Sequence, residues 1–252
     1  MLLKMMCFRK AIPGKLQSLH AQEEELRKKA TKIVIDDERF QLHLLAIQHA
    51  MNLADHFRQI PTEDEDTKLI QVLSMRLFNA FGAGLKLALS GYGQNSALIM
   101  RDIFETVFLL DFFNSDRKSI ERWRLAKRKE RMKNFSPIQI RKALDLRDDF
   151  QNKKRAEHYE FLSELAGHPT MKSVLMLRPQ QDGDAVIGPF IAEDPFKAVL
   201  SEMGRLAIQT GEVLDYFFPE MWGGALETRR SFAQIKQQWM ATFYSSEPKA
   251  SK

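Results

Sequence analysis

Apolar residues recur at steps of three and four along most of this chain, a spacing that suits helices and little else. Between residues 36 and 59, Phe40, Leu44, Ile47, Met51 and Ala54 fall on one continuous stripe of a helix. Residues 67–90 repeat the pattern with Leu69, Leu73, Leu77, Phe81 and Leu85, and Gly82 and Gly84 are expected to mark close helix approach. The segment from about 95 to 114 is apolar on most of its circumference and should form the centre of the core. Phe232, Ile235, Trp239 and Phe243 give a last helix one buried face.

Helix punctuation fits these stripes. Asp36 and Asp37 offer N-cap oxygens, Ile60-Pro61 ends the first stripe, and Gly91-Tyr92-Gly93 is a turn. A basic helix is expected over 116–133, after which Ser136-Pro137 opens a helix or helix pair to about 166. Gly167 stands where a left-handed C-cap belongs, and Pro169 blocks continuation. Asp194-Pro195 restarts a helix that Pro219 stops. Residues 171–193 alone do not read as helix, and Asp182-Gly183 between two apolar runs predicts a short hairpin or an ordered loop. The resulting reading is all-α: one bundle of about seven helices over 36–245, a basic N-terminal arm over 1–35 that buries little by itself, and a disordered tail over 246–252.

Charge narrows the function classes. The net charge is +5, but residues 117–155 hold 15 Lys/Arg against 5 Asp/Glu, a local excess of +10 on an otherwise mildly acidic chain. Such a block attracts polyanions: nucleic acid or an acidic protein surface. Near-average composition, 44% hydrophobic and 28% charged, excludes a disordered or collagenous chain. The single cysteine, Cys7, excludes an internal disulfide and a Cys-based zinc site, and points to a reducing, cytoplasmic setting. The apolar stretch 97–113 carries Arg101, Asp102, Glu105 and Asp111, so no membrane span is expected there. The opening Met-Leu-Leu-Lys-Met-Met is too short for a signal peptide.

Three constellations could carry chemistry. Arg101 and Glu105 are i,i+4 neighbours in an apolar helix, so they either form an internal salt bridge or face a cleft. In a cleft Arg101 would clamp an anion, with Glu105 orienting it or acting as a base. Tyr159 and Ser163 share a helical face that would line a pocket. His168, just past the helix end, would move a proton or shape the Gly-His-Pro turn, while His158 is expected to be an exposed helical residue. On the basic helix, Arg117, Lys118, Arg122, Arg124, Lys127, Arg128 and Arg131 would track phosphates, with Trp123 stacking on a base; the alternative is a solvated face with internal pairs.

Metal and cofactor motifs are not found. His43, His49 and His56 lie six and seven residues apart, and seven residues of helix span about 10 Å, too far to share one ion. The glycine pairs lack the strand context and Lys-Ser/Thr of a phosphate loop, and Ser90 and Ser163 sit in no nucleophile elbow, so no metal and no cofactor are expected.

The stretch from Phe78-Asn79-Ala80 through Leu85-Lys86-Leu87-Ala88-Leu89-Ser90-Gly91-Tyr92 to Leu98-Ile99-Met100-Arg101-Asp102-Ile103-Phe104-Glu105-Thr106 resembles a group of bacterial helical proteins of unknown function. Those couple an Arg-x-x-x-Glu core helix to a later Leu-Ser…His element, matched here by Leu162-Ser163 and His168. The resemblance implies an all-α fold with Arg101, Glu105, Ser163 and His168 near one another. The architecture also looks loosely like HEPN domains, whose ribonuclease members carry Arg followed by His after four to six residues. No histidine here has an arginine at that spacing; Arg39-x-x-x-His43 is one residue short.

Together these features give a non-catalytic module that recognises RNA or an acidic partner through the basic helix. The alternatives are a metal-independent ribonuclease using Arg101, Glu105 and His168, and a structural subunit of a complex. Self-association is expected if Trp222 and Trp239 present apolar surface.

Overall fold

The computed structural model describes residues 12–150, 154–180, 182–219 and 223–244. Among these residues the regular structure is helical throughout, with no strand. In chain order the helices are α1 (Gly14–Ile35), α2 (Glu38–Phe57), α3 (Glu65–Leu89), α4 (Gly93–Ser115), α5 (Lys118–Leu125), α6 (Arg128–Asn134), α7 (Pro137–Arg147), α8 (Lys154–Leu162), α9 (Met171–Leu175), α10 (Glu193–Asp215) and α11 (Leu226–Tyr244). A π-helical turn, Ser163–Gly167, extends α8, and a 3-10 turn, Gly223–Ala225, precedes α11. Eleven α-helical segments stand where about seven were expected. The all-α class holds; the surplus comes from short helices.

The anticipated cap at Asp37 forms, and Asp64 caps α3 in the same way. Asp37 Oδ1 accepts from the Arg39 amide at 2.9 Å, and Asp64 Oδ2 accepts from the Thr67 amide at 2.8 Å. Helices α2, α3, α4 and α10 close a ring, α2 against α3, α3 against α4, α4 against α10 and α10 against α2. Inside it Ile47, Leu53, Phe81, Ile103, Leu110 and Leu206 are buried. One described helix, α3, is long and apolar enough to cross a membrane by length and composition, a segment other than the 97–113 stretch weighed from sequence. Its Ile70, Leu73, Leu77 and Phe81 are buried in the protein core.

Glycines set how closely α10 approaches its neighbours. A Cβ on Gly204 would lie 2.4 Å from the His43 ring on α2, and one on Gly211 would lie 2.1 Å from the Phe232 ring on α11. At Gly84 the anticipated close approach exists, with Met203 and Ile99 side chains 3.1 and 3.3 Å from such a Cβ; at Gly82 the nearest atom is an ordinary 3.9 Å away.

Several expectations are corrected. The arm joins the body: α1 packs on α2 and α3, Ala30 and Val34 are buried, and the Tyr92 hydroxyl donates to Glu23 Oε1 at 2.7 Å. The basic helix is two helices, α5 and α6. The chain turns at Ala126 because Arg131 folds back, its Nη2 donating to the carbonyls of Ala126 (3.0 Å) and Trp123 (3.4 Å) at the end of α5. Residues 171–193 begin with α9, started by a reciprocal cap between Thr170 and Ser173, and continue as an ordered loop with no hairpin among its described residues. Trp239 is buried rather than presented for self-association, and Trp222, Cys7 and the tail lie outside the described residues.

Candidate functional site

The Arg101–Glu105 pair is formed on α4, Nη2 to Oε1 at 3.3 Å, with both side chains partly exposed. A partner from α8 completes it: Arg101 Nη2 donates to the Tyr159 hydroxyl at 2.5 Å, and Arg101 Cζ lies 5.0 Å from the Tyr159 ring centroid. Arg141, from α7, places its Cζ 3.9 Å from the same centroid. Two guanidinium groups therefore share one phenol. Arg101 Nε is buried with no hydrogen-bond partner.

Gly167 belongs to this cluster. It does not take the left-handed conformation expected of it, since Gly91 and Gly188 are the glycines at positive φ. A Cβ there would stand 2.8 Å from Arg101 Nη1, so any side chain would have to displace the end of that guanidinium. The π-turn delivers it: the His168 amide donates back to the Ser163 carbonyl at 3.1 Å, five residues earlier, widening the helix end as Arg101 passes. Gly167→Ala should cost about 1–2 kcal/mol by displacing a guanidinium that Tyr159 and Glu105 hold in place. In an Arg101→Ala background the same change should be close to neutral in urea unfolding, and equal costs in both backgrounds would contradict the contact.

Ser163 and His168 stand differently. Ser163 Oγ donates to the Tyr159 carbonyl at 2.8 Å, so it binds its own helix and not a cleft. His168 is exposed and lines a shallow depression with Gln94, Asn95, Leu98 and Ser173, to which neither Arg101 nor Glu105 contributes. The structure thus joins Arg101, Glu105 and Tyr159, brings Ser163 in through the backbone, and gives His168 a surface of its own.

The basic segment divides in two. Arg117 donates to the Tyr216 carbonyl at 2.9 Å and lies 4.2 Å from the Phe217 ring centroid; burial holds its guanidinium below the usual arginine value. Arg122 pairs with Asp116, and Arg124 pairs with Asp66 at 2.9 Å. Trp123 is half-buried against Phe113 and has Arg131 4.5 Å from its ring centroid, so it is not an open stacking platform. Lys118, Lys127 and Arg128, with Lys129 and Lys133 beside them, are exposed and make no ion pair among the described residues.

Two groups escaped the sequence reading. His158, expected to be exposed, is half-buried, with Nε2 2.6 Å from both Glu202 Oε1 and Arg205 Nη2. Burial pushes the Glu202 carboxyl up, but hydrogen bonds from His158 and Arg205 outweigh it and leave the group below its ordinary value. Arg141 is the other: only 7% exposed, it looked like one more member of the basic block. No local signal marked either, because their partners come from distant helices. Among the described residues no three His, Cys, Asp or Glu side chains gather closely enough to hold a metal ion.

Against this geometry stand the comparisons with known proteins. No family model, no curated protein and no solved structure matches the chain. What the site can do is read from its own side chains.

Proposed function

We propose that this chain is a helical binding module that holds RNA through α6 and its flanks. The observation that carries this reading is the set Lys118, Lys127, Arg128, Lys129 and Lys133: five exposed cations that make no ion pair among the described residues, against Glu121 and Glu130 beside them. Helix α6 buries none of its residues, and apart from Arg131 its cations pack on nothing in the core. Unpaired cations at such density repel one another and are relieved by a polyanion that releases its own counterions on binding. Arg117, Arg122, Arg124 and Arg131, held by internal partners, act as the scaffold that presents them.

Labelled single-stranded RNA titrated without added metal tests this. A shift that weakens with salt is expected, with a slope of about −3 in log K against log salt for four or five phosphate contacts. The Lys127→Glu, Arg128→Glu, Lys133→Glu variant should bind at least about 30-fold more weakly at low salt, with its circular dichroism unchanged. A shift that survives the triple reversal, or none at low salt, overturns the reading. RNA shortened in the same lanes, with cleavage lost in His168→Ala, would replace the module with a ribonuclease.

A further inference from the structure

Beside α6 lies a pocket whose lining includes none of its exposed lysines. It sits between α4, α6 and α7, has a volume of about 320 Å³, and its walls include Phe104, Phe108, Phe135 and Ile140. Its charged lining is Arg76, Arg131 and Arg141 against Asp102 and Glu105. Arg76 pairs with Asp102, and Glu105 is engaged by Arg101 behind the wall. Three guanidinium groups line the pocket; with Asp102 paired to Arg76 and Glu105 paired to Arg101 from behind, two lining positive charges are left without an ion pair.

The surplus falls on Arg141 and Arg131. Arg141 is 7% exposed and makes no ion pair among the described residues. The Tyr159 ring and hydroxyl are its partners, and burial holds its guanidinium below the ordinary arginine value although Tyr159, Glu105 and Asp145 act the other way. Arg131 gives Nη2 to two backbone carbonyls, while its Nε is buried with no partner. A buried cation without a carboxylate is costly, and a guanidinium not neutralised by an ion pair attracts an oxyanion.

We infer that this pocket binds a phosphomonoester carried on a small, flat apolar group, with Arg141 and Arg131 as the phosphate ligands. A phosphomonoester carries between −1.5 and −2 at neutral pH, which matches the surplus, whereas a carboxylate would neutralise half of it. The aromatic walls take the body of the ligand, and the mixed apolar and cationic lining gives it one orientation.

Isothermal titration of the full chain with phenyl phosphate, at physiological salt, tests the site. Saturable one-to-one binding is expected, with a Kd between roughly 10 μM and 1 mM, and benzoate should bind at least about tenfold more weakly. Arg141→Met keeps the apolar stem and removes the unbalanced charge, so the protein should remain folded while binding falls by tenfold or more. Arg131→Met provides the same reading if the first variant does not fold. Glu105→Gln removes a negative charge from the rim and should tighten binding severalfold. Lys127→Glu with Arg128→Glu should weaken phenyl phosphate binding much less than Arg141→Met does, since these exposed charges line no part of the pocket and are partly screened at this salt. No saturable binding, binding indifferent to Arg141 and Arg131, or benzoate as tight as phenyl phosphate would each overturn the assignment.

Discussion

Trp239→Ala is expected to lower the unfolding free energy by about 4 kcal/mol, the largest loss we foresee from one substitution. Trp239 is 3% exposed and anchors α11 on α2. Its indole N–H donates to His43 Nδ1 at 2.9 Å, and its ring lies 5.2 Å from Phe243 and 5.4 Å from Tyr244. Truncation opens a cavity and also leaves a buried imidazole nitrogen without its donor, so two costs add. Trp239→Phe separates them: most of the ring stays, the donor goes, and about 1–2 kcal/mol should be lost. Urea unfolding measures both. Hydrogen exchange should show α11 opening first in the alanine variant, because α11 has few other contacts with the bundle. A loss below about 1 kcal/mol for Trp239→Ala would mean that α11 adds little to the fold.

Acid should weaken the protein in a window set by the same pair. The His43 imidazole is stacked on Phe243 at 4.4 Å and covered by Gly204, where no Cβ fits. Its Nδ1 accepts from Trp239, so the ring proton sits on Nε2, which is buried without a partner. Burial first, then the nearby Arg39, pushes its pKa down to about 4, with Asp37 opposing weakly. Unfolded, the same imidazole titrates near its ordinary 6.5. The unfolded chain therefore binds more protons between these values. Stability is fully present above pH 6.5, falls as pH drops through the window, and has lost about 3 kcal/mol by pH 4. His49, also pushed down by burial, adds in the same direction. Carboxylates act lower: Asp148, held near 2 by Arg147 and Arg155, keeps its contribution until the pH falls below the ordinary carboxylate range. The urea midpoint measured from pH 7 to pH 4 should slope steeply in the wild type and much less in His43→Leu. Parallel slopes would assign the acid sensitivity elsewhere.

The chain alone determined what depends on neighbours a few residues apart. The stripe through Phe40, Leu44 and Ile47 and the face of Phe232 and Trp239 follow from helical spacing, and the cap at Asp37 from a carboxylate placed just ahead of it. The Arg101–Glu105 pair was legible for the same reason: i,i+4 on one helix brings the two together whatever packs around them. Tertiary structure alone decided the rest, because one helix does not encode which other helix meets it. The break between α5 and α6 depends on Arg131 reaching back to two carbonyls, so a single charged run became two helices. Of the basic block, Arg117, Arg122 and Arg124 were taken up by Tyr216, Asp116 and Asp66, leaving Lys118, Lys127, Arg128, Lys129 and Lys133 to solvent. Gly204, Gly211 and Gly167 look alike in sequence and acquire meaning from the ring or guanidinium pressed against each. Arg141 shows the division most sharply. Its charge is written in the chain, but its burial beside Tyr159 without a counter-ion exists only once α4, α7 and α8 have packed. Local spacing fixes which face of a helix is apolar, and long-range packing decides which charges are neutralised and which remain unpaired.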